Sequence, residues 1–170
     1  GQGWTIAKRL LENERGGSCT APQLLADIAD VRARATERPI GNGLTLVDDP
    51  AFSKQIGRAE LEALALETTE LRILDDIAKG RSVGPQTSLV KLVSSDLRQK
   101  IDSLAMELWG YAGLQLTRSR PLYAESCPSA ILDKAAQIAP ARYLNSRAWT
   151  IFGGSNEIQR SIIAKAILRL

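Results

Sequence analysis

The sequence contains no histidine and only two cysteines. Without histidine, neither a Ser–His or Cys–His nucleophile pair nor a histidine-ligated metal site can form within this chain. Cys19 and Cys127 are far apart and match no metal-ligand spacing. We therefore expect no metal site and two buried or half-buried reduced thiols. Sparse cysteine use suits a reducing interior and favours a cytoplasmic location.

Long apolar runs and basic patches are lacking as well. No stretch of about 20 apolar residues occurs, and the N-terminus does not follow the basic-then-apolar pattern of a signal peptide. The net charge is only +3, with the charged residues spread along the chain. No basic run is interleaved with aromatic residues, so nucleic-acid binding is not expected. These absences predict a soluble chain without a membrane span.

The residues that are present predict one helical domain. A chain of 170 residues with 44% hydrophobic content can form one well-packed core, so residues 1–170 are expected to form a single domain. Apolar residues recur at spacings of three, four and seven, and no segment alternates with period two for long enough to indicate a sheet. We expect an all-α fold, an antiparallel bundle of about four long helices.

The apolar pattern also predicts where the helices lie. The first segment, residues 4–36, is interrupted by Gly16-Gly17 and Pro22, so we expect a kink or two consecutive helices there. Residues 38–50 read as a loop, residues 51–79 as a second helix and residues 85–111 as a third, followed by a short helix at 130–138 and a last helix from Ser155 to the end. Each long segment has an expected apolar face. In the first segment it is Ile6, Leu10, Leu24, Ile28 and Val31; in the second helix Leu61, Leu64, Leu71, Leu74 and Ile77; in the third Leu89, Val93, Leu97, Ile101, Leu104 and Leu108; and in the last Ile158, Ile162 and Ala166.

A double glycine precedes the last helix. In Phe152-Gly153-Gly154-Ser155, the glycines allow the backbone to approach a bound group closely, and Ser155 can cap the helix. Exposed N–H groups at such a helix start bind carbonyl oxygens or anions. An ordinary glycine turn with an ordinary cap explains the same residues, so the motif alone does not decide between the two.

Three segments resemble one enzyme family. The closing stretch FGGSNEIQRSIIAKAILRL is similar to the terminal motif of the acyl-CoA dehydrogenases, and GQGWTIAKRLLENERGG is similar to the family's entry into its C-terminal helical domain. ELWGYAG, residues 107–113, resembles the glycine segment that meets flavin across the family's dimer interface. The resemblance implies a C-terminal domain that lacks the family's N-terminal helical and central β domains, so the isolated domain is expected to be inactive.

The resemblance also implies a reaction. In the family, a carboxylate removes the α-proton of an acyl-CoA thioester while hydride passes from the β-carbon to FAD. Many members carry the carboxylate where this chain has Gly153, whereas a minority place it on the first helix, as LLENERGG suggests. The resemblance therefore implies Glu14 as the base, with Arg15 beside it and with Gly153 and Gly154 meeting the thioester. From the residues alone, a charged pair on the helix surface is the better explanation of Glu14 and Arg15.

The remaining implied contacts concern the cofactor. Arg38 is the nearest candidate for the arginine that grips the partner subunit's flavin diphosphate, although ERPIGNGLTLVDDPAF departs from the family's Arg-then-Phe-Gly pattern. Trp109 and Tyr111 fit core aromatics as well as flavin contacts. The implied FAD contacts are Arg38, Glu107, Leu108, Trp109, Gly110, Tyr111, Ser155, Asn156 and Glu157.

The family resemblance further implies partners: an acyl-CoA substrate, an electron-transfer flavoprotein as electron acceptor, and further copies of the chain in a dimer or tetramer. Two alternatives stay open. A catalytically silent subunit of a hetero-oligomer is favoured by Gly153 and opposed by Glu14. An acyl-CoA oxidase differs only in whether reduced flavin meets oxygen.

Overall fold

The computed structural model describes residues 19–115 and 134–170, together with residues 2, 3, 6, 7 and 10. Five α-helices account for most of these residues, which confirms the all-α prediction. They are α1 (Ala21–Glu37), α2 (Pro50–Ala78), α3 (Gln86–Trp109), α4 (Lys134–Ser146) and α5 (Asn156–Ile163). Helix α3 lies at the centre of the bundle and packs against the other four helices.

Helix α1 begins at the predicted interruption. Pro22 lies in its first turn, where the missing N–H is not needed for an intrahelical hydrogen bond. Leu24, Ile28 and Val31 are buried, as predicted. Ile6 and Leu10, which were expected to continue the same apolar face, are instead exposed.

Helix α2 matches its predicted bounds to within one residue at each end. The Oδ1 atom of Asp49 accepts hydrogen bonds from the N–H groups of Ala51 and Phe52 at 2.7 and 2.9 Å, which caps the helix. Gly80, at φ 70°, follows the last turn. A left-handed residue at that place ends a helix, as the sequence predicted.

The predicted apolar face of α2 is wrong. Leu61, Leu64, Leu71, Leu74 and Ile77 are all exposed. The core is instead contacted by a face with two alanines near its centre, namely Phe52, Ile56, Ala59, Ala63, Leu66, Glu70 and Ile73. Alanines allow helix backbones to approach closely, so the face with the largest leucine content need not be the buried one.

Helix α3 carries most of its predicted core. Leu97, Ile101, Leu104 and Leu108 are buried and Val93 is half-buried, whereas Leu89 near the start of the helix is exposed. The helix ends at Gly110, one of the two predicted ends, where φ is 51° and ψ is −130°. A 3-10 turn, Gly110–Leu114, follows directly.

The connections differ from the sequence prediction in three places. The predicted loop at 38–50 contains a small antiparallel hairpin, β1 (Pro39–Gly41) with β2 (Leu44–Thr45), too short to show an alternating pattern. The predicted helix at 130–138 continues to Ser146, with Pro140 inside it. Cys19 is exposed and not buried, and Cys127 lies outside the described residues.

Helix α5 starts where it was predicted but buries a different face. Ile158 is exposed and Ile162 only half-buried, while the polar residues Asn156 and Gln159 are buried. The chain continues through a π-helical turn, Ala164–Leu168. The polar contacts of Asn156 and Gln159 therefore determine how α5 sits on the bundle.

Candidate active site

The double glycine forms a left-handed turn immediately before α5. Gly153 and Gly154 have φ values of 68° and 98°, a region that residues with a Cβ rarely adopt. The hydroxyl of Ser155 accepts a hydrogen bond from the N–H of Ile158 at 3.5 Å, so the predicted N-cap is confirmed. A Cβ placed on Gly153 would meet no atom within 4 Å, so this side of the turn opens into free space.

Gln159 holds this turn from inside the bundle. Its side chain is 0% exposed, and its Nε2 donates to the carbonyl oxygens of Gly153 and Gly154 at 3.4 and 3.3 Å. Sequence reasoning did not single out Gln159. Its position in the first turn of α5 was the available signal, because a side chain there can reach back across the helix start.

Asn156 anchors the same segment to α3. Its Oδ1 accepts from Lys91 Nζ at 2.6 Å and from the Ser95 hydroxyl at 3.1 Å, while its Nδ2 donates to Asp96 at 3.0 Å. The side chain is buried and is committed to these partners. Asn156 thus positions α5, and any cofactor contact by this residue would fall to its backbone.

Glu157 is exposed at the first turn of α5. Its own backbone N–H and the hydroxyl of Ser155 hydrogen-bond the carboxylate and lower the pKa of Glu157. The carboxylate is therefore ionised at neutral pH and complements the positive end of the helix dipole.

A second group of predicted residues meets at the end of α3. The guanidinium of Arg38 donates to the carbonyl oxygen of Trp109 at 3.3 Å, and its carbon lies 6.0 Å from the centroid of the indole ring. Arg34 approaches the same ring at 6.0 Å. A Cβ on Gly110 would lie 3.7 Å from Arg38 Nη2. Two cations and an aromatic ring therefore adjoin the glycine that ends α3.

The other residues predicted on this segment differ in exposure. Tyr111 is 94% exposed, and Glu107 is exposed and accepts a hydrogen bond from Gln55 at 3.4 Å. Leu108 is buried in the core, so its side chain cannot reach a ligand on the surface. Trp109 is half-buried against the core, in agreement with the core-aromatic interpretation, and its contact with flavin stays a prediction.

The two groups lie at different points along α3. Asn156 is fixed to the helix at Ser95, whereas the arginine group adjoins Trp109, fourteen residues later. At 1.5 Å per residue, the two attachment points are about 20 Å apart along the helix. A single flavin ring cannot touch both groups.

Glu14 and Arg15 lie outside the described residues. The nearest described contacts are those of Thr20, whose N–H and hydroxyl both donate to the carboxylate of Glu70 at 2.8 Å. Ala21 N–H donates to the other oxygen of Glu70 at 3.1 Å. The carboxylate therefore fixes the start of α1, seven residues after Glu14.

A cavity of about 200 Å³ lies between α1, α3 and α4. It is lined by Trp109 and by buried Asp102, whose Oδ1 is 3.5 Å from Nε of Arg142. Burial away from water raises the pKa of Asp102, an effect that the guanidinium groups of Arg142 and Arg98 oppose. Arg98 and Arg142 also contact Asp27, so the charges in this cavity pair with one another.

Metal clusters and membrane-spanning helices are absent from the part of the chain that the structure describes. Nowhere in residues 19–115 and 134–170 do three or more His, Cys, Asp or Glu residues come together as a possible metal site. The helices described in the same ranges include none with the length and hydropathy needed to span a bilayer.

Known proteins place these features in a family. A family model described as "Acyl-CoA dehydrogenase, C-terminal domain" matches residues 1–168. The chain is 29% identical over its full length to acyl-CoA dehydrogenase IpdE1 of Mycolicibacterium smegmatis and to IpdE1 of Mycobacterium tuberculosis. It is 26% identical over 99% of its length to acyl-CoA dehydrogenase FadE34 of M. tuberculosis, of which it covers 20%.

Solved structures share the fold. The ChsE4–ChsE5 complex from M. tuberculosis matches 99% of this chain with a TM-score of 0.75 at 23% identity, and the chain covers 40% of the matched chain. Butyryl-CoA dehydrogenase from Megasphaera elsdenii matches 99% of this chain with a TM-score of 0.71 at 22% identity, and 39% of its own chain is covered.

The length of this chain corresponds to one part of these relatives. It spans 37% and 39% of the two IpdE1 proteins. The family model nevertheless covers nearly every residue of this chain, and the helical bundle matches the solved structures. The chain therefore belongs to the acyl-CoA dehydrogenase family, as a C-terminal helical domain.

Proposed function

We propose that this chain is the C-terminal part of a flavin-dependent acyl-CoA dehydrogenase that introduces a trans-2 double bond into an acyl-CoA thioester. The observation that carries the proposal is the glycine turn before α5. Gly153 and Gly154 adopt left-handed conformations ahead of a capped helix, in the segment that resembles the family's terminal motif. Such a turn can direct backbone N–H groups at an oxygen that gains negative charge.

The chemistry requires a base, which we assign to Glu14. Gly153 has no side chain and so cannot remove the α-proton, while its turn can still hold the thioester oxygen. Glu14 would take the proton, and Arg15 would support the charge beside it. FAD, when bound, supplies the acceptor for the hydride from the β-carbon. Proton removal beside a thioester also needs the pKa of the base to be adjusted near the working pH.

The residues at the end of α3 fit the diphosphate of a flavin dinucleotide. Arg38 lies there beside Trp109 and Gly110, and the residue that follows, Tyr111, is exposed. A guanidinium group pairs readily with phosphate oxygens. Because Trp109 is about 20 Å along α3 from Ser95, where Asn156 is bound, one flavin ring cannot contact both groups. We therefore assign the two groups to different flavins, the one at Trp109 belonging to a partner subunit.

Self-association follows from the exposed face of α2. We define the α2 leucine stripe as Leu61, Leu64, Leu71, Leu74 and Ile77, all exposed in the single chain. Several large apolar side chains left exposed on one helix are typical of an interface. We propose that the stripe contributes to a homodimer or homotetramer, and that the reduced enzyme passes electrons to an electron-transfer flavoprotein in the cytoplasm as part of fatty acid metabolism.

A silent subunit is the second candidate function. It is favoured by Gly153, which leaves the usual base position empty, and by the likeness of the fold to a complex of two named chains, ChsE4 and ChsE5. In that case another chain would supply the base. An acyl-CoA oxidase would reduce the same flavin but pass its electrons to oxygen.

The test uses the full-length protein that contains this chain. Purified protein is mixed anaerobically with a panel of acyl-CoAs while the absorbance of bound flavin is recorded. The dehydrogenase proposal expects bleaching by at least one thioester, followed by reoxidation with electron-transfer flavoprotein. Rapid reoxidation by oxygen alone supports an oxidase. Absence of flavin, or a flavin that no thioester reduces, supports the silent subunit.

A further inference from the structure

We infer that Gln159 is a positioning residue that sets the geometry of the thioester-binding turn. The inference rests on the proposed function, because it concerns the same glycine turn. The side chain of Gln159 is buried, reaches no surface and so cannot touch substrate. Its effect on the reaction must therefore pass through the backbone that it holds.

The amide of Gln159 contacts two successive peptide units. Its Nε2 donates to the carbonyl oxygens of Gly153 and Gly154 at 3.4 and 3.3 Å. Carbonyl oxygens only accept hydrogen bonds, so the NH₂ group is the part of the amide that faces them. The two hydrogen atoms of that group match the two acceptors.

Holding a carbonyl oxygen also orients an N–H group. A peptide unit is planar, and none of the described peptide bonds is cis. In a trans unit the C=O and the N–H point in opposite directions. The units held by Gln159 end in the N–H groups of Gly154 and Ser155, so these two donors are directed away from the core and toward the open side of the turn.

The turn needs these two hydrogen bonds because the backbone of glycine is the least conformationally restricted of all residues. Gly153 and Gly154 can leave their left-handed conformations at little steric cost. A donor misplaced by about 1 Å can slow a reaction by about 100-fold, so a flexible turn would hold the thioester oxygen poorly. The buried Gln159 side chain removes this freedom without occupying the substrate side.

The experiment compares Gln159→Met with Gln99→Met in the full-length protein. Gln99 is the matched control, since its Nε2 donates to the backbone carbonyl of Ser146 at 3.1 Å and both changes remove one such glutamine amide. We expect Gln159→Met to lower kcat for flavin reduction by about 10-fold to 100-fold. Gln99→Met should keep the unmodified kcat.

A second variant, Gln159→Glu, tests the same role if Gln159→Met does not fold. Gln159→Glu keeps the shape of the side chain. The ionised carboxylate has no hydrogen to donate, whereas the protonated carboxyl group can donate one hydrogen bond to one of the two carbonyl oxygens. Its kcat relative to the unmodified enzyme should therefore rise as the pH falls. Calorimetry of the enoyl-CoA product, which involves no turnover, should show binding weakened by either Gln159 change.

The outcomes separate the two proposals. Unmodified protein whose flavin no thioester reduces contradicts the proposed function. Where the unmodified protein is active, a Gln159→Met enzyme with unchanged kcat overturns the positioning role. So does an equal loss of kcat in Gln99→Met, or, should Gln159→Met not fold, a Gln159→Glu enzyme whose relative kcat does not change with pH.

Discussion

The carboxylate of Glu70 on α2 accepts hydrogen bonds from both the N–H and the hydroxyl of Thr20, each at 2.8 Å. Its other oxygen accepts from Ala21 N–H at 3.1 Å. Glu70 is only 5% exposed, so these donors offset much of its lost hydration. The cap of α1 is thus supplied from a different helix, 50 residues away in sequence.

Glu70→Gln should destabilise the bundle. The amide has one acceptor oxygen where the carboxylate has two, and it loses the favourable interaction with the positive end of α1. We expect the free energy of unfolding to fall by about 1 to 3 kcal/mol, the range for hydrogen bonds to a charged group. Urea denaturation of the 170-residue chain measures the change. Glu67→Gln on the same helix is the control, and an equal effect of both substitutions would argue against a specific cap.

Asp102→Asn should change how stability depends on pH. Burial raises the folded-state pKa of Asp102, so the folded protein holds this proton at pH values where the unfolded chain, with a pKa of about 3.9, has released it. Ionisation of Asp102 therefore lowers stability as the pH rises from the unfolded toward the folded pKa. Asparagine has no such titration.

The measurement is the difference in unfolding free energy between Asp102→Asn and the unmodified chain. This difference should move in favour of the variant as the pH rises through that window and then level off. Asp75→Asn, a surface substitution at an exposed pair with Lys79, serves as the control. A difference for Asp102→Asn that stays constant across the window would contradict the assigned effect of burial.

Arg38→Ala should weaken flavin binding. Removing a guanidinium that pairs with phosphate is expected to raise the Kd for FAD of the full-length protein by about 10-fold or more, since a charge-assisted hydrogen bond contributes about 1.5 to 3 kcal/mol. Fluorescence titration of the apoprotein gives the Kd. Arg32→Ala, which removes an arginine on α1 that pairs with Glu60, should leave the Kd unchanged. Equal Kd values for all three proteins would remove Arg38 from the flavin site.

Leu71→Glu should reduce the oligomeric state. Leu71 is near the middle of the α2 leucine stripe and is 59% exposed in the single chain. A buried carboxylate at an apolar interface is strongly disfavoured, so the variant is expected to sediment as a smaller species. Leu144→Glu on α4 introduces the same charge at another exposed leucine and should retain the original mass. Identical sedimentation of Leu71→Glu and the unmodified protein would show that the stripe is not an interface.

The sequence predicted helix positions better than helix orientation. The ends of α2 and α3 were predicted to within two residues because Pro50, Gly80 and Gly110 act locally on the backbone. The buried face of α2 was mispredicted because its leucines satisfy the same spacing as its alanines. Which face meets the core depends on how closely the neighbouring helices approach, and local spacing carries no information about that distance.

Polar contacts explain why the buried face of α5 differs from the predicted one. Periodicity assigned Ile158 to the buried face of α5, but that helix is held by the amides of Asn156 and Gln159, whose partners lie on α3 and in the glycine turn. Apolar spacing cannot anticipate such contacts. The helix through Pro140 was also predicted too short, since a proline disfavours helical conformation in the residue before it. The Ser155 cap was predictable because it acts within one helical turn.

We propose that Glu14, and not a residue of the glycine turn, is the base. Anaerobic stopped-flow absorbance measures the rate of flavin reduction by an acyl-CoA in the full-length protein, its Glu14→Gln variant and a Glu12→Gln control from the same segment. We predict that Glu14→Gln slows bleaching by about 100-fold or more, the scale of a lost general base, while Glu12→Gln reacts at the unmodified rate. An unchanged bleaching rate in Glu14→Gln would contradict the assignment.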